Sequence, residues 1–175
     1  MTGSSTTQMV GVAISTLRDL RSAVITSADP DAAVKALREA GYGGGTAVHA
    51  AFVEWLAGTA ADQQPTDTDH LPIDRFGELA GDFFRDAGWG DVVFSTDDDE
   101  GVAVVDIDGC WEATGSPENA PGCQVTTGLL AAFFGTIAGY PVAVLETECA
   151  AESGGRCHFL LGNTDVMNYK WEEMR

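Results

Sequence analysis

Positive charge is scarce in this chain. Lysine occurs only at Lys35 and Lys170, and 9 Lys and Arg residues stand against 27 Asp and Glu residues, which gives a formal net charge of -18 over 175 residues. Such a charge repels phosphate backbones and anionic lipid, so we expect no direct binding to nucleic acid or to a membrane. The acids are scattered through loops and helix faces, a pattern typical of a solvated surface, as in proteins from a high-salt cytoplasm.

Several functional signals are also missing. The chain begins without a basic segment followed by an apolar run, and its longest apolar stretch, 128–145, is divided by Gly, Tyr and Pro. The glycine run GYGGGT at 41–46 lacks the GK[ST] ending of a phosphate loop, and no Ser-His-Asp or paired-carboxylate arrangement stands out. We therefore expect a soluble, cytoplasmic protein that is not an enzyme.

Hydrophobic periodicity divides the chain into a helical part and a sheet part. Apolar residues recur at three and four over 9–25, and Asp29-Pro30 signals a helix start that the glycines at 41–45 would end. Further helices are predicted near 46–58, 73–90 and 123–139, a polar linker at 59–70, and antiparallel hairpins at 91–108 and 141–162. The run DDDE at 97–100 could be a cation site, but a solvated turn between two strands is the simpler interpretation.

The order of these elements predicts an α+β fold, with an antiparallel sheet of four to five strands and helices packed on one face. We expect a single domain over 1–175. Its parts are an N-terminal helical arm (1–25) that could form a dimer contact, a helical part (26–90), a hairpin-helix-hairpin core (91–162) and a C-terminal tail (163–175).

The cysteines are the candidate ligands of a metal. In a reducing cytosol, thiols argue for metal or for buried side chains before disulfides. Cys149 and Cys157 would face each other across the neck of the last hairpin, Glu146 precedes Cys149 by three residues, and the preceding helix could bring Cys123 to the same point. Three thiolates and one carboxylate would close a tetrahedral structural zinc site. Buried thiols, or a disulfide between Cys149 and Cys157, remain alternatives.

A longer pattern supports the metal. It comprises Cys123, Gly135, Gly139, Pro141, Val142, Glu146, Cys149, Gly154, Cys157 and Phe159. With the surrounding residues, about 75–162, it resembles the 4-vinyl-reductase-type domain. That family includes a bacteriochlorophyll-biosynthesis protein, archaeal proteins described as hydrocarbon-binding, and the aromatic-sensing domains of phenol- and xylene-responsive activators. It shares its fold with transport-particle subunits and haem nitric-oxide sensors.

The resemblance implies that Cys123, Glu146, Cys149 and Cys157 bind zinc, as the matching residues do in the sensor members. Cys110 falls outside the pattern and is interpreted as a structural thiol. His158 should point to the opposite face of its strand from Cys157, which makes it a weaker candidate. Other acids and histidines are weaker candidates or non-ligands: Glu148, Glu152, His49 and His70.

A ligand pocket is predicted between the helices and the sheet. Period-two alternation puts Val142 and Val144 on the face of Glu146, and aromatic residues from the helices could cover them. The expected lining is Trp55, Leu79, Phe83, Phe94, Val102, Val104, Trp111, Phe133, Val142 and Val144. A filled core is the alternative. Few Tyr, Trp or His residues lie on the strands, which favours a ligand less polar than phenol.

These observations favour a zinc-stabilised sensor or carrier domain that binds a small hydrophobic or aromatic molecule, and we expect it to form a homodimer. An enzyme or accessory protein of tetrapyrrole metabolism, suggested by the family's name, is one alternative. A scaffold subunit is another. A zinc ion held by four protein ligands leaves no open position for catalysis.

Overall fold

The computed structural model describes residues 11–59, 72–97, 101–116 and 121–173. The predictions for residues 1–10, for the linker with His70 and for Asp98 to Glu100 of the acidic run lie outside these residues. The described elements are α1 (Ile14–Ser27), α2 (Pro30–Thr59), α3 (Ile73–Asp86), β1 (Asp91–Asp97), β2 (Val102–Asp108), α4 (Gln124–Ala138), β3 (Ala143–Glu148), α5 (Ala150–Ser153), β4 (Cys157–Gly162) and α6 (Thr164–Glu173). The predicted α+β class is confirmed.

The predicted start of α2 is confirmed by its cap. Asp29 Oδ1 accepts hydrogen bonds from the backbone N–H groups of Asp31 and Ala32, both at 3.2 Å, and Pro30 occupies the first helical position. The proline lacks the N–H group that an interior helical position would need, so it fits there without loss.

The predicted glycine stop is wrong, because α2 runs without a break through residues 41–45. The glycines let α2 approach α4: a Cβ atom on Gly41 would collide with the Val125 carbonyl, and one on Gly45 would lie 2.7 Å from the Leu129 carbonyl oxygen. Gly128 of α4 is pressed in the same way against the backbone of α2. Each glycine costs a helix about 1 kcal/mol relative to alanine, and close packing of the two helices offsets this cost.

The sheet is antiparallel, with strand order β1-β2-β4-β3. Its register pairs Phe94 with Val105, Val105 with Phe159 and Phe159 with Glu146, so these side chains share one face, the inner face. The helices α3 and α4 pack on that face. A core of aromatic and aliphatic side chains fills the space between them, with Phe52 of α2 among its fully buried members.

The segment after the sheet is also ordered. Residues 164–173 form α6, whose buried Met167 lies beside Gly162 and Val102 on the outer face of the sheet. In the described ranges, no helix combines the length and the apolar character that crossing a bilayer requires.

Candidate metal centre and ligand space

Four candidate ligands converge at one end of the sheet. Cys123 immediately precedes α4, Glu146 lies on the inner face of β3, Cys149 caps α5 just after β3, and Cys157 is the first residue of β4. Their ligand atoms all lie within 4.8 Å of one another. The short helix α5 turns the chain between the two strands and so keeps Cys149 and Cys157 on the same side. This cluster could hold a metal ion.

The sulfur atoms have the spacing of a tetrahedral site. Cys123 Sγ lies 3.5 Å from Cys157 Sγ and 3.9 Å from Cys149 Sγ. A zinc–sulfur bond of about 2.3 Å gives a tetrahedral edge of about 3.8 Å between two thiolates. The thiols are therefore already placed as they would be around a bound zinc-sized ion.

Glu146 also fits a ligand role. Its Oε2 accepts a hydrogen bond of 2.6 Å from the Cys123 backbone N–H, while its Oε1 is buried and has no hydrogen-bond partner in the described part of the chain. A buried oxygen without a partner is costly, and a metal ion would satisfy it. Gly122 leaves room for this carboxylate, because a Cβ atom at that position would collide with it.

The cluster favours protonated groups in the absence of a cation. Burial raises the pKa of the Glu146 carboxyl and of the Cys149 thiol. Contact with the Cys110 thiol, together with burial, raises the pKa values of Cys123 and Cys157. Binding of a metal would therefore displace protons from these groups.

A buried ion pair beside the cluster is not evident from the sequence pattern. Arg21 of α1 and Glu112 are 5% and 1% exposed, and Arg21 Nε lies 3.1 Å from Glu112 Oε1. Glu112 Oε2 accepts hydrogen bonds from the backbone N–H and the hydroxyl of Thr126, at 2.9 and 3.0 Å. One signal was available: Arg21 lies on the apolar stripe of α1, four residues after Leu17 and three before Val24.

The residues predicted to line an inner pocket lie in three places. Leu79, Phe83 and Phe133 are buried in the core, and Phe94, Trp55, Val142 and Val144 are half-buried against it. Val102 and Val104 lie on the outer face, because Val104 pairs with Leu160 while Ala103 pairs with Leu161. Their expected position beside Val144 is wrong. In the run VAVV, either phase puts an apolar residue inward, so the sequence could not choose between them.

Aromatic rings fill most of the space between the helices and the sheet. Phe133 packs with Phe52 and Phe84 at ring-centroid distances of 5.7 and 5.2 Å. A small space of about 50 Å³ remains beside Phe94, Phe134 and their neighbours. The alternative of a filled core therefore describes this region of the structure.

A larger apolar cleft lies on the other side of α4. It has a volume of about 450 Å³ and is bounded by α1, α2, α4 and the indole rings of Trp89 and Trp111, which meet edge to face with centroids 5.8 Å apart. Leu17 and Leu20 of α1 form one wall. Trp111 is the predicted pocket residue that lines this cleft.

The weaker ligand candidates lie away from the cluster. His158 Nδ1 is 2.7 Å from Asp106 Oδ1 on the outer face of the sheet, as strand alternation predicts. Glu148 and Glu152 are exposed. The ring of His49 packs against that of Phe133, at a centroid distance of 5.8 Å.

Comparison with known proteins gives a domain match and a fold. The chain is similar to the crystal structure of the phenol-responsive sensory domain of the transcription activator PoxR with phenol, with a TM-score of 0.60 and 16% identity over 87% of this chain and 75% of that one. At this identity the likeness shows the fold. A vinyl-4-reductase family protein from Methanocaldococcus jannaschii matches with a TM-score of 0.40 and 17% identity, over 88% of this chain and 97% of that one. No curated protein matches the sequence.

The domain match falls on the sheet and the metal cluster. Residues 103–163 match the vinyl-4-reductase (V-4-R) domain, a range that includes Cys123, Glu146, Cys149 and Cys157. This match confirms, over residues 103–163, the predicted resemblance to the 4-vinyl-reductase-type domains.

Proposed function

We propose that this chain is a sensor or carrier domain that binds a small hydrophobic or aromatic molecule and whose C-terminal hairpin is held to α4 by zinc. The vinyl-4-reductase domain match supports the family context, and a structure of similar fold is a sensory domain that holds phenol. The ligand of this chain is expected to be less polar than phenol, because hydrocarbon side chains dominate the available cleft.

The zinc would have a structural role. Cys123, Glu146, Cys149 and Cys157 supply three thiolates and one carboxylate, a set that suits zinc better than calcium or magnesium. Four protein ligands complete a tetrahedron, so the ion would supply cross-linking between α4, β3 and β4. Loss of such an ion lowers the stability of the segment that it joins.

The observation that carries the binding proposal is the apolar cleft between α1, α2 and α4. Its volume of about 450 Å³ falls within the range of small-molecule sites, whereas about 50 Å³ remains between the helices and the sheet. The walls are aliphatic side chains and two indole rings, so burial of an aromatic hydrocarbon there would be favourable. The proposed site is thus on the opposite side of α4 from the pocket that the sequence predicts.

Two neighbouring glycines of α2 allow a matched test. Gly44 lines the cleft and Gly43 does not, and a Cβ atom on either would meet nothing within 4 Å. We expect Gly44→Leu to fill the cleft and to weaken toluene binding at least about tenfold. Gly43→Leu places the same side chain on the exposed surface of the same helix and should bind as the wild type does.

Toluene and phenol titrations by calorimetry, with Trp89 and Trp111 fluorescence as a second readout, would measure the difference. Native mass spectrometry of the purified wild type would report any co-purified molecule. If both variants bind toluene equally, the ligand does not occupy this cleft. If the wild type binds neither compound and carries no small molecule, the binding function is contradicted.

We further propose a homodimer, with α1 and α2 contributing to the contact. The support is a set of exposed apolar side chains on this side of the molecule: Ile14 and Leu20 are 40% and 60% exposed, and Tyr42 is 57% exposed. Light scattering should give twice the chain mass for the wild type, and Leu20→Asp should shift the protein toward the monomer. A monomeric wild type at micromolar concentration would contradict the dimer.

A further inference from the structure

Cys110 places a fourth thiol beside the three candidate cysteine ligands. It follows Gly109, whose φ of 68° turns the chain after β2, and its carbonyl oxygen accepts hydrogen bonds from the Thr114 N–H and hydroxyl, at 3.0 and 2.9 Å. The side chain is 1% exposed. The turn therefore fixes this thiol in the interior, where structural packing alone would be served equally well by alanine or valine.

The position of the Cys110 sulfur matches a metal-ligand geometry. Its Sγ lies 3.8 Å from Cys123 Sγ, and it also interacts with the thiol of Cys157. A tetrahedral zinc–thiolate site has an edge of about 3.8 Å. Cys123 and Cys157 can thus be shared by two ligand sets, one completed by Cys149 and Glu146 and the other by Cys149 and Cys110.

Glu146 and Cys110 compete on chemical grounds for the fourth position. Glu146 already accepts a hydrogen bond from the Cys123 N–H through Oε2 and has Oε1 free to bind. The Cys110 thiolate would bring the same charge of minus one, and zinc accepts four thiolates as readily as three thiolates and another donor. Exchange therefore leaves the charge of the site unchanged and needs only a small shift of the ion toward Cys110.

We propose that Cys110 is an alternative fourth metal ligand, which replaces Glu146 when that carboxylate is removed or displaced. The inference rests on the proposed metal centre and extends it: the site would hold its ion in two forms, one with three thiolates and a carboxylate and one with four thiolates. Movement of β3 away from α4 could then withdraw Glu146 without release of the metal.

Cobalt(II) added to the full chain distinguishes the two forms, because thiolate-to-cobalt charge-transfer absorbance grows with the number of bound thiolates. We expect wild type and Cys110→Ala to give the same three-thiolate spectrum. Glu146→Gln should still bind one cobalt ion and should gain absorbance in the ratio of four thiolates to three. Adding Cys110→Ala to Glu146→Gln should return the spectrum to three thiolates and weaken cobalt binding about 10–100-fold.

Several results would overturn the inference. A Glu146→Gln spectrum no stronger than that of the wild type excludes Cys110 ligation, as does equal cobalt affinity of the single and the double variant. Glu146→Asp gives the same comparison if the glutamine variant does not fold, because its shorter side chain withdraws the carboxylate and keeps its charge. A wild type that binds no cobalt would instead contradict the metal centre itself, so the two failures are distinct.

Discussion

Arg21 and Glu112 join the N-terminal helix to the segment that carries the first metal ligand. Arg21 pairs with Glu112 at 3.1 Å and also donates hydrogen bonds to the carbonyl oxygens of Pro121 and Gly122, immediately before Cys123. Glu112 in turn accepts a hydrogen bond from the Val125 N–H at 3.0 Å. One charged pair thus connects α1, which forms a wall of the apolar cleft, with the start of α4 at the candidate metal centre.

Removal of Arg21 should be strongly destabilising. Arg21→Ala leaves the Glu112 carboxylate buried without its cation, and breaking a buried pair in this way costs about 3–5 kcal/mol. Burial already raises the pKa of Glu112, so its charge depends on this partner and on the N–H donors of α4. Urea unfolding measures the free energy of unfolding.

Two controls separate this effect from loss of any arginine. Arg75→Ala removes an exposed pair with Glu78 and should cost about 1 kcal/mol or less. The double variant Arg21→Ala/Glu112→Ala no longer leaves a buried charge, so it should recover part of the loss. A cost for Arg21→Ala no larger than that for Arg75→Ala would contradict the role given to the buried pair.

Metal binding should strengthen as pH rises. Burial raises the pKa values of Glu146 and Cys149 above their ordinary values, which favours the protonated forms in the folded, metal-free protein. Zinc binds the deprotonated forms, so protons must leave and the apparent affinity increases with pH. Competition with a chromophoric chelator at about pH 6, 7 and 8 measures this trend. An affinity that does not change with pH would mean that these groups are not the ligands.

The close approach of α2 and α4 predicts opposite effects for two glycine substitutions. Gly128→Ala would force a Cβ atom into the backbone of Arg38 and Tyr42, and should destabilise by about 1–3 kcal/mol or more. Gly43→Ala lies exposed in the interior of α2 with nothing within 4 Å of its Cβ, and should stabilise by about 0.5–1 kcal/mol. Thermal unfolding of the two variants beside the wild type compares them. Similar stability of Gly128→Ala and wild type would show that the helices separate readily.

Local signals in the sequence predicted the elements well where one residue decides the backbone. Asp29 and Pro30 set the start of α2, and Gly139, with a φ of 71°, ends α4. The β-branched runs gave both hairpins, since alternating side chains need one buried face. Glu146 could be assigned to the inner face because β3 has a single polar interruption on that face.

Tertiary packing explains what local signals missed. The glycines at 41–45 indicate a helix end when read alone, yet in the fold they form the contact surface for α4. Whether Phe52, Phe133 and their neighbours line a cavity or fill it depends on how the rings interlock, which no periodicity encodes. The partnership of Arg21 with Glu112 joins positions 91 residues apart, and only the folded chain brings them together.

The ligand and the metal should be coupled through α1. If zinc fixes the start of α4 and thereby Arg21, removal of zinc should loosen the wall of the cleft and weaken toluene binding, and toluene should raise zinc affinity by the same factor. Arg21→Gln keeps much of the side-chain volume, removes the charge and should abolish this reciprocity. Calorimetric toluene titrations with and without zinc measure the factor in both proteins. Equal coupling in wild type and Arg21→Gln would exclude this route.

The central claim, that one zinc ion clamps the C-terminal hairpin to α4, is tested most directly by thermal unfolding of the metal-free protein during zinc titration. The account predicts a melting temperature that rises and saturates at one zinc per chain in the wild type. It also predicts a much smaller rise in Cys149→Ser, which lacks one of the converging thiols. A wild-type melting temperature that does not change with zinc would contradict it.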